Sequence, residues 1–142
     1  MILSFDRLIR PEISEKNKYW IDKHRHYELK HFCLQYPSWK RTYTELDGFE
    51  GRSEEITYSK SNKPGDPTGK YTELRNLYLE KMDLVRRTAF EADPDLATYI
   101  FRAVTEGLSY TYLKTKVTIP CGRDMYYDRY RRFFWLLSNS RI

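Results

Sequence analysis

Apolar residues along this chain recur at intervals of three and four over most of its length, the spacing of one helix face rather than the alternation of a strand. Glu12 to Tyr36 contains neither Gly nor Pro and predicts one long helix, with Trp20, His24, Tyr27, His31 and Leu34 along one face. Pro37 is expected to end it, because its ring clashes with a continuing turn. Ser38 to Leu46 then reads as a short second helix stopped by Asp47 and Gly48. From Asp47 to Gly69 the periodicity is lost among Gly48, Gly51, Pro64, Gly65, Pro67 and Gly69, the composition of a loop or linker; Glu55–Tyr58 is the one run in it open to strand pairing.

The second half is more regular. Tyr71 to Ala92 predicts a helix with a single stripe, Tyr71, Leu74, Tyr78, Met82, Val85, Ala89 and Ala92, and Thr68 as its N-cap. Asp93 and Pro94 are suited to cap and open the next helix, which runs through Tyr99, Ile100, Ala103 and Val104 to a stop at Gly107. Ser109 starts a short helix, Val117–Gly122 forms a turn whose Val117 and Ile119 can tuck under neighbouring helices, and Arg123–Ser138 is the last helix. The expectation is an all-α fold in three parts: an N-terminal helical arm and hairpin (1–47), a loop (48–69), and a helical unit (70–142) ending in a helix-turn-helix.

Composition explains how such a fold finds a core. Only 40% of the residues are hydrophobic and 32% are charged, but 16% are aromatic, with 13 Tyr, 7 Phe and 3 Trp. Each ring buries a large area, so a core poor in Leu and Ile is still sufficient, and a disordered chain would not carry so many. No run approaches the roughly 20 apolar residues of a membrane span. Asp6, Arg7 and Arg10 interrupt the apolar start where a signal peptide needs a continuous core, so Cys33 and Cys121 are expected as free thiols in a reducing cytoplasm.

Charge narrows the function. The net charge is +5, and residues 107–142 carry all of it, with Lys114, Lys116, Arg123, Arg129, Arg131, Arg132 and Arg141 against Asp124 and Asp128. Positive charge concentrated in one segment points to a polyanion. At about 100° per residue, Tyr126, Tyr130, Phe133, Phe134 and Leu137 gather on one side of the last helix, the expected core face. Met125, Arg129, Arg132 and Leu136 gather opposite. A bracing helix, a turn and a second helix presenting arginines suit a DNA major groove about 12 Å wide. Arg129 and Arg132 are the expected base or phosphate readers, Arg123 a third from the helix start, and Lys114 and Lys116 the expected phosphate contacts. Asp124 and Asp128 would repel phosphate unless they orient an arginine or accept from cytosine.

Gly107–Lys114 resembles the opening of the region-4-type helix-turn-helix of sigma factors. Ile119–Leu137 is similar to the ends of small phage proteins of Gram-positive bacteria that resemble the RinA/ArpU-type late transcriptional regulators, and Gly65–Thr68 resembles the run before their central helix. The likeness covers roughly residues 64–141; residues 1–63 match nothing that can be placed. It implies a phage-type, sequence-specific regulator in the host cytoplasm, binding double-stranded DNA without a cofactor, with Arg123, Arg129 and Arg132 in the recognition helix. The N-terminal hairpin would then serve a homodimer or contact RNA polymerase or another host protein. A phage-encoded inhibitor of a host protein or nucleoprotein complex is the alternative.

Other chemistry fits less well. Gly65–Lys70 is one residue short of a phosphate-binding loop and has Tyr71 where Ser or Thr would bind magnesium. His24, His26, His31 and Cys33 are close in sequence, but each helical pair is two turns apart rather than at the chelating i, i+4 spacing. Neither cysteine has an evident local base for nucleophilic work. A second basic stretch, Lys16–Arg41, is interleaved with Tyr19, Trp20, Phe32, Tyr36, Trp39 and Tyr43; it suits a solvated helix face over an aromatic core better than a single-strand stacking platform. An enzyme is the least favoured class.

Overall fold

The computed structural model describes the backbone of residues 15–57 and 67–142, and the side chains of 15–48 and 69–142. The described residues are helical with no strand: α1 (Lys23–Leu34), α2 (Tyr36–Thr57), α3 (Pro67–Ala92), α4 (Ala97–Glu106), α5 (Tyr110–Tyr112) and α6 (Arg123–Ser140). A π-helical turn, Leu113–Val117, continues α5. The chain forms two compact units, Tyr36–Asp83, and a discontinuous one of residues 1–35 with Leu84–Ile142.

Local signals set most boundaries. Asp22 caps α1, its carboxylate accepting from His24 N–H at 2.9 Å. The helix therefore starts well after Glu12, and it ends before Pro37 as expected, at Gln35. Pro37 then lies in the first turn of α2, where no amide donor is required. Helix α2 continues past Asp47 to Thr57, through residues expected to be loop, and Glu55–Thr57 is helical rather than extended. Its two glycines each cost about 1 kcal/mol in a helix, and Glu45, Glu50, Arg52, Glu54 and Glu55 around them are good helix formers. Tyr58 and the phosphate-loop-like residues before Pro67 lie outside the described residues. Helix α3 begins at Pro67, so Thr68 is inside the helix and not its cap.

The expected face of α1 is not the buried one. His26, Leu29, Phe32 and Cys33 are buried, whereas Trp20 lies ahead of the helix and His24, His31 and Leu34 are exposed. Two stripes of the required spacing coexist in this aromatic-rich stretch, and the one holding Leu29, Phe32 and Cys33 excludes more apolar surface from water.

Within the Tyr36–Asp83 unit, Trp39 of α2 is buried and the Lys81 ammonium sits 5.6 Å from its ring centroid and from that of Tyr78. Arg75 pairs with Asp47 at 2.8 Å. In the other unit, α1, α4 and α6 pack on one another around Leu29, Ile100, Phe133 and Leu137, all fully buried. Tyr126, Tyr130 and Phe134 form an i, i+4 ladder with centroids 5.7 and 5.0 Å apart, and His26 stacks edge-on against Phe134 at 4.8 Å. Full burial of each such ring contributes roughly 1.5–3 kcal/mol. Arg25 ties α1 to the end of α6, donating to Ser138 Oγ and to the Ser138 carbonyl, both at 3.1 Å, and to the Arg141 carbonyl. No described helix is long and apolar enough to cross a membrane.

Candidate nucleic-acid interface

The α4–α5–α6 segment is built from caps that the local sequence supplies. Asp93 Oδ1 accepts from the amides of Asp95 and Leu96 in the turn ahead of α4, so Asp93 and Pro94 precede the helix they were expected to cap and open, whose N-cap is Leu96. Gly107 ends α4 in the left-handed region (φ 74°), and the amides of Gly107 and Leu108 both reach the Ala103 carbonyl. Ser109 caps α5 through its hydroxyl, which accepts from Tyr112 N–H at 3.1 Å. Tyr110, buried, donates its hydroxyl to the Cys121 carbonyl at 2.8 Å and so closes the turn between α5 and α6. Ile119 tucks under, 1% exposed, as its apolar character predicts. The turn is not a plain one: the π-helical turn ends on Thr118 at φ 60°, ψ 51°, a left-handed conformation costly for a β-branched residue.

Helix α6 buries Tyr126, Phe133, Phe134 and Leu137, with Tyr130 half-buried. The core face therefore falls where its periodicity predicts. Its opposite side differs from the expectation of two free arginines. Arg129 Nε donates to Asp93 Oδ2 at 2.9 Å, with the Asp93 side chain only 9% exposed, and Arg129 Nη1 pairs with Asp128. Donating to Asp93, and then to Asp128, raises the Arg129 pKa further above its ordinary value. Asp128 does orient an arginine, one of the two roles expected to suit an acid on this face. Arg132 Nη1 donates to the Tyr19 hydroxyl at 3.2 Å, and its guanidinium lies 5.9 Å from the Tyr19 ring centroid.

The remaining three candidates are exposed. Lys114 and Lys116 project from the π-helical turn, and none of the ion pairs among the described residues engages either. Arg123 stands at the start of α6, its guanidinium 5.9 Å from the centroids of both Tyr110 and Tyr127. Lys114 acts electrostatically on Cys121 in the same turn. The α5–α6 corner thus gathers Arg123 and Lys114, with Lys116 two residues further along the turn. Sequence reasoning missed Asp93 and Tyr19 as partners of Arg129 and Arg132. Asp93 is 36 residues from Arg129 and Tyr19 is 113 from Arg132, and no periodicity reports contacts at such separations.

Among the described residues no three His, Cys, Asp or Glu side chains converge as a metal site. Comparison of the chain with family models, curated proteins and solved structures finds no match.

Proposed function

We propose that this protein is a non-enzymatic, cofactor-free transcription regulator of phage type that binds double-stranded DNA through its α5–α6 corner. The observation that carries the reading is that Lys114, Lys116 and Arg123 are all exposed, the first two on the π-helical turn and the third at the start of α6, a helix anchored by four buried side chains. Cations free of acidic partners release counterions from the phosphate backbone when they bind it. The resemblance of Gly107–Lys114 to sigma region 4, and of Ile119–Leu137 to the ends of small phage regulators, agrees with the same reading. Arg129 and Arg132 in this proposal brace α6, and the DNA contacts shift to its start, where recognition helices usually meet base edges.

Gel-shift titration against duplex DNA at several salt concentrations tests it. Lys114→Ala, Lys116→Ala and Arg123→Ala are each expected to weaken binding and to lower the log–log salt slope by about 0.9 per lost contact, at unchanged melting temperature. Arg129→Ala is expected instead to destabilise the fold by about 1–3 kcal/mol, since it strands the buried Asp93 carboxylate. Absence of duplex binding near 0.15 M salt, or binding indifferent to all three exposed cations, overturns the proposal. Leu74 and Leu77 of α3, 41% and 54% exposed, favour a second reading in which the Tyr36–Asp83 unit binds a host protein such as RNA polymerase. Loss of a protein partner in Leu77→Lys, with DNA binding absent throughout, would select that reading.

A further inference from the structure

A cavity of about 300 Å³ opens in the discontinuous unit, between the C-terminal half of α1, the end of α4 and the first turns of α6. Tyr127 and Tyr130 present partly exposed rings to it, over a floor formed by the buried Tyr110, Tyr126 and Phe134. Among the described residues its charged lining groups are Lys30 and Arg123, and none is a carboxylate. Arg123 is held at the wall by the rings of Tyr110 and Tyr127 rather than by an acid.

This combination selects a ligand class. An uncharged apolar molecule would cover the rings but leave Lys30 and Arg123 without a partner of opposite charge. A compact inorganic anion would match the charge and leave the rings unused. A flat ring bearing a carboxylate satisfies both constraints, stacking on the partly exposed tyrosines while its charge lies between Lys30 and Arg123. We propose that this cavity is a binding site for a small planar aromatic carboxylate. The proposal does not require DNA binding, although Arg123 borders both sites.

Isothermal titration of the full chain with indole-3-acetate, its neutral isostere indole-3-acetamide, and acetate tests it. Indole-3-acetate is expected to bind saturably at one per chain, and the amide and acetate at least about tenfold more weakly, one charge-assisted contact being worth that factor. Lys30→Gln is expected to lower indole-3-acetate affinity by about fivefold or more while leaving amide binding unchanged. Leu34→Trp, at an exposed position that lines the cavity, is expected to block binding with the helical circular dichroism intact. In methyl-resolved NMR the perturbation should centre on Val104, which also lines the cavity. No saturation by about 5 mM, equal affinity for acid and amide, unaltered binding in Leu34→Trp, or perturbation away from Val104 each overturns the assignment.

Discussion

Cys33 and Cys121 have the same side chain in different surroundings. Cys33 is fully buried on α1, and desolvation pushes its thiol up to about 12, against the weaker opposing field of Arg141. Cys121 is partly exposed in the α5–α6 turn; desolvation raises it as well, while Lys114 favours its thiolate. A disulfide-forming reagent at pH 8 is therefore expected to modify Cys121 in the native protein and to reach Cys33 only as fast as the unit opens. Mass spectrometry of the labelled cysteines over time checks this, and equal labelling rates would contradict it. The Cys33 shift also has a pH signature. A folded value above the unfolded one stabilises fully below pH 9.0 and is lost progressively as pH rises from there through about 12. Relative to wild type, Cys33→Ala should lose that part of the alkaline decline in denaturant titrations.

At the level of the element, the π-helical turn after α5 is where local sequence and structure disagree most. Thr118 adopts the left-handed conformation, which costs an L-residue roughly 1–2 kcal/mol. Glycine relieves that strain but loses more chain entropy on folding, about 0.5–1 kcal/mol. Thr118→Gly is thus expected to stabilise the protein by about 0.5–1 kcal/mol, read as a rise in melting temperature. A fall would mean that the Thr118 side chain contributes more than its backbone costs. The neighbouring caps at Gly107 and Ser109 were legible in the sequence because each acts within a few residues of itself, whereas the helix expected to open at Asp93 and Pro94 starts only at Ala97. The core face of α6 was legible because its rings follow the helical period without competition. The buried face of α1 was not, since Leu29, Phe32 and Cys33 compete there with Trp20, Tyr27 and Leu34. Nor was the extent of α2, where glycines mimic a loop. The candidate interface was legible as charge but not as geometry: Lys114, Lys116 and Arg123 are exposed, whereas the partners that occupy Arg129 and Arg132 come from distant segments.

At the level of the molecule, one compact unit is made of two pieces of chain, residues 1–35 and 84–142. The Leu84–Ile142 piece alone lacks Leu29, Phe32 and Cys33 against its buried rings, so as an isolated fragment it is expected to unfold without cooperativity. A synthetic peptide of residues 15–35 added in excess should restore helicity and a sigmoidal thermal transition. Circular dichroism during the titration checks this, and a cooperative transition for the fragment alone would refute it.

The tie from Arg25 to Ser138 spans 113 residues, which gives synthesis on the ribosome a definite order. Helix α1 emerges before the elements that cover it, and its apolar side finds no cover until α4 and then α6 have followed it out. The contiguous Tyr36–Asp83 stretch can meanwhile collapse on itself. Until then the nascent chain displays Leu29, Phe32 and Cys33 to solvent, a natural target for chaperones that hold hydrophobic segments. Closure of the unit that bears the candidate interface waits for α6.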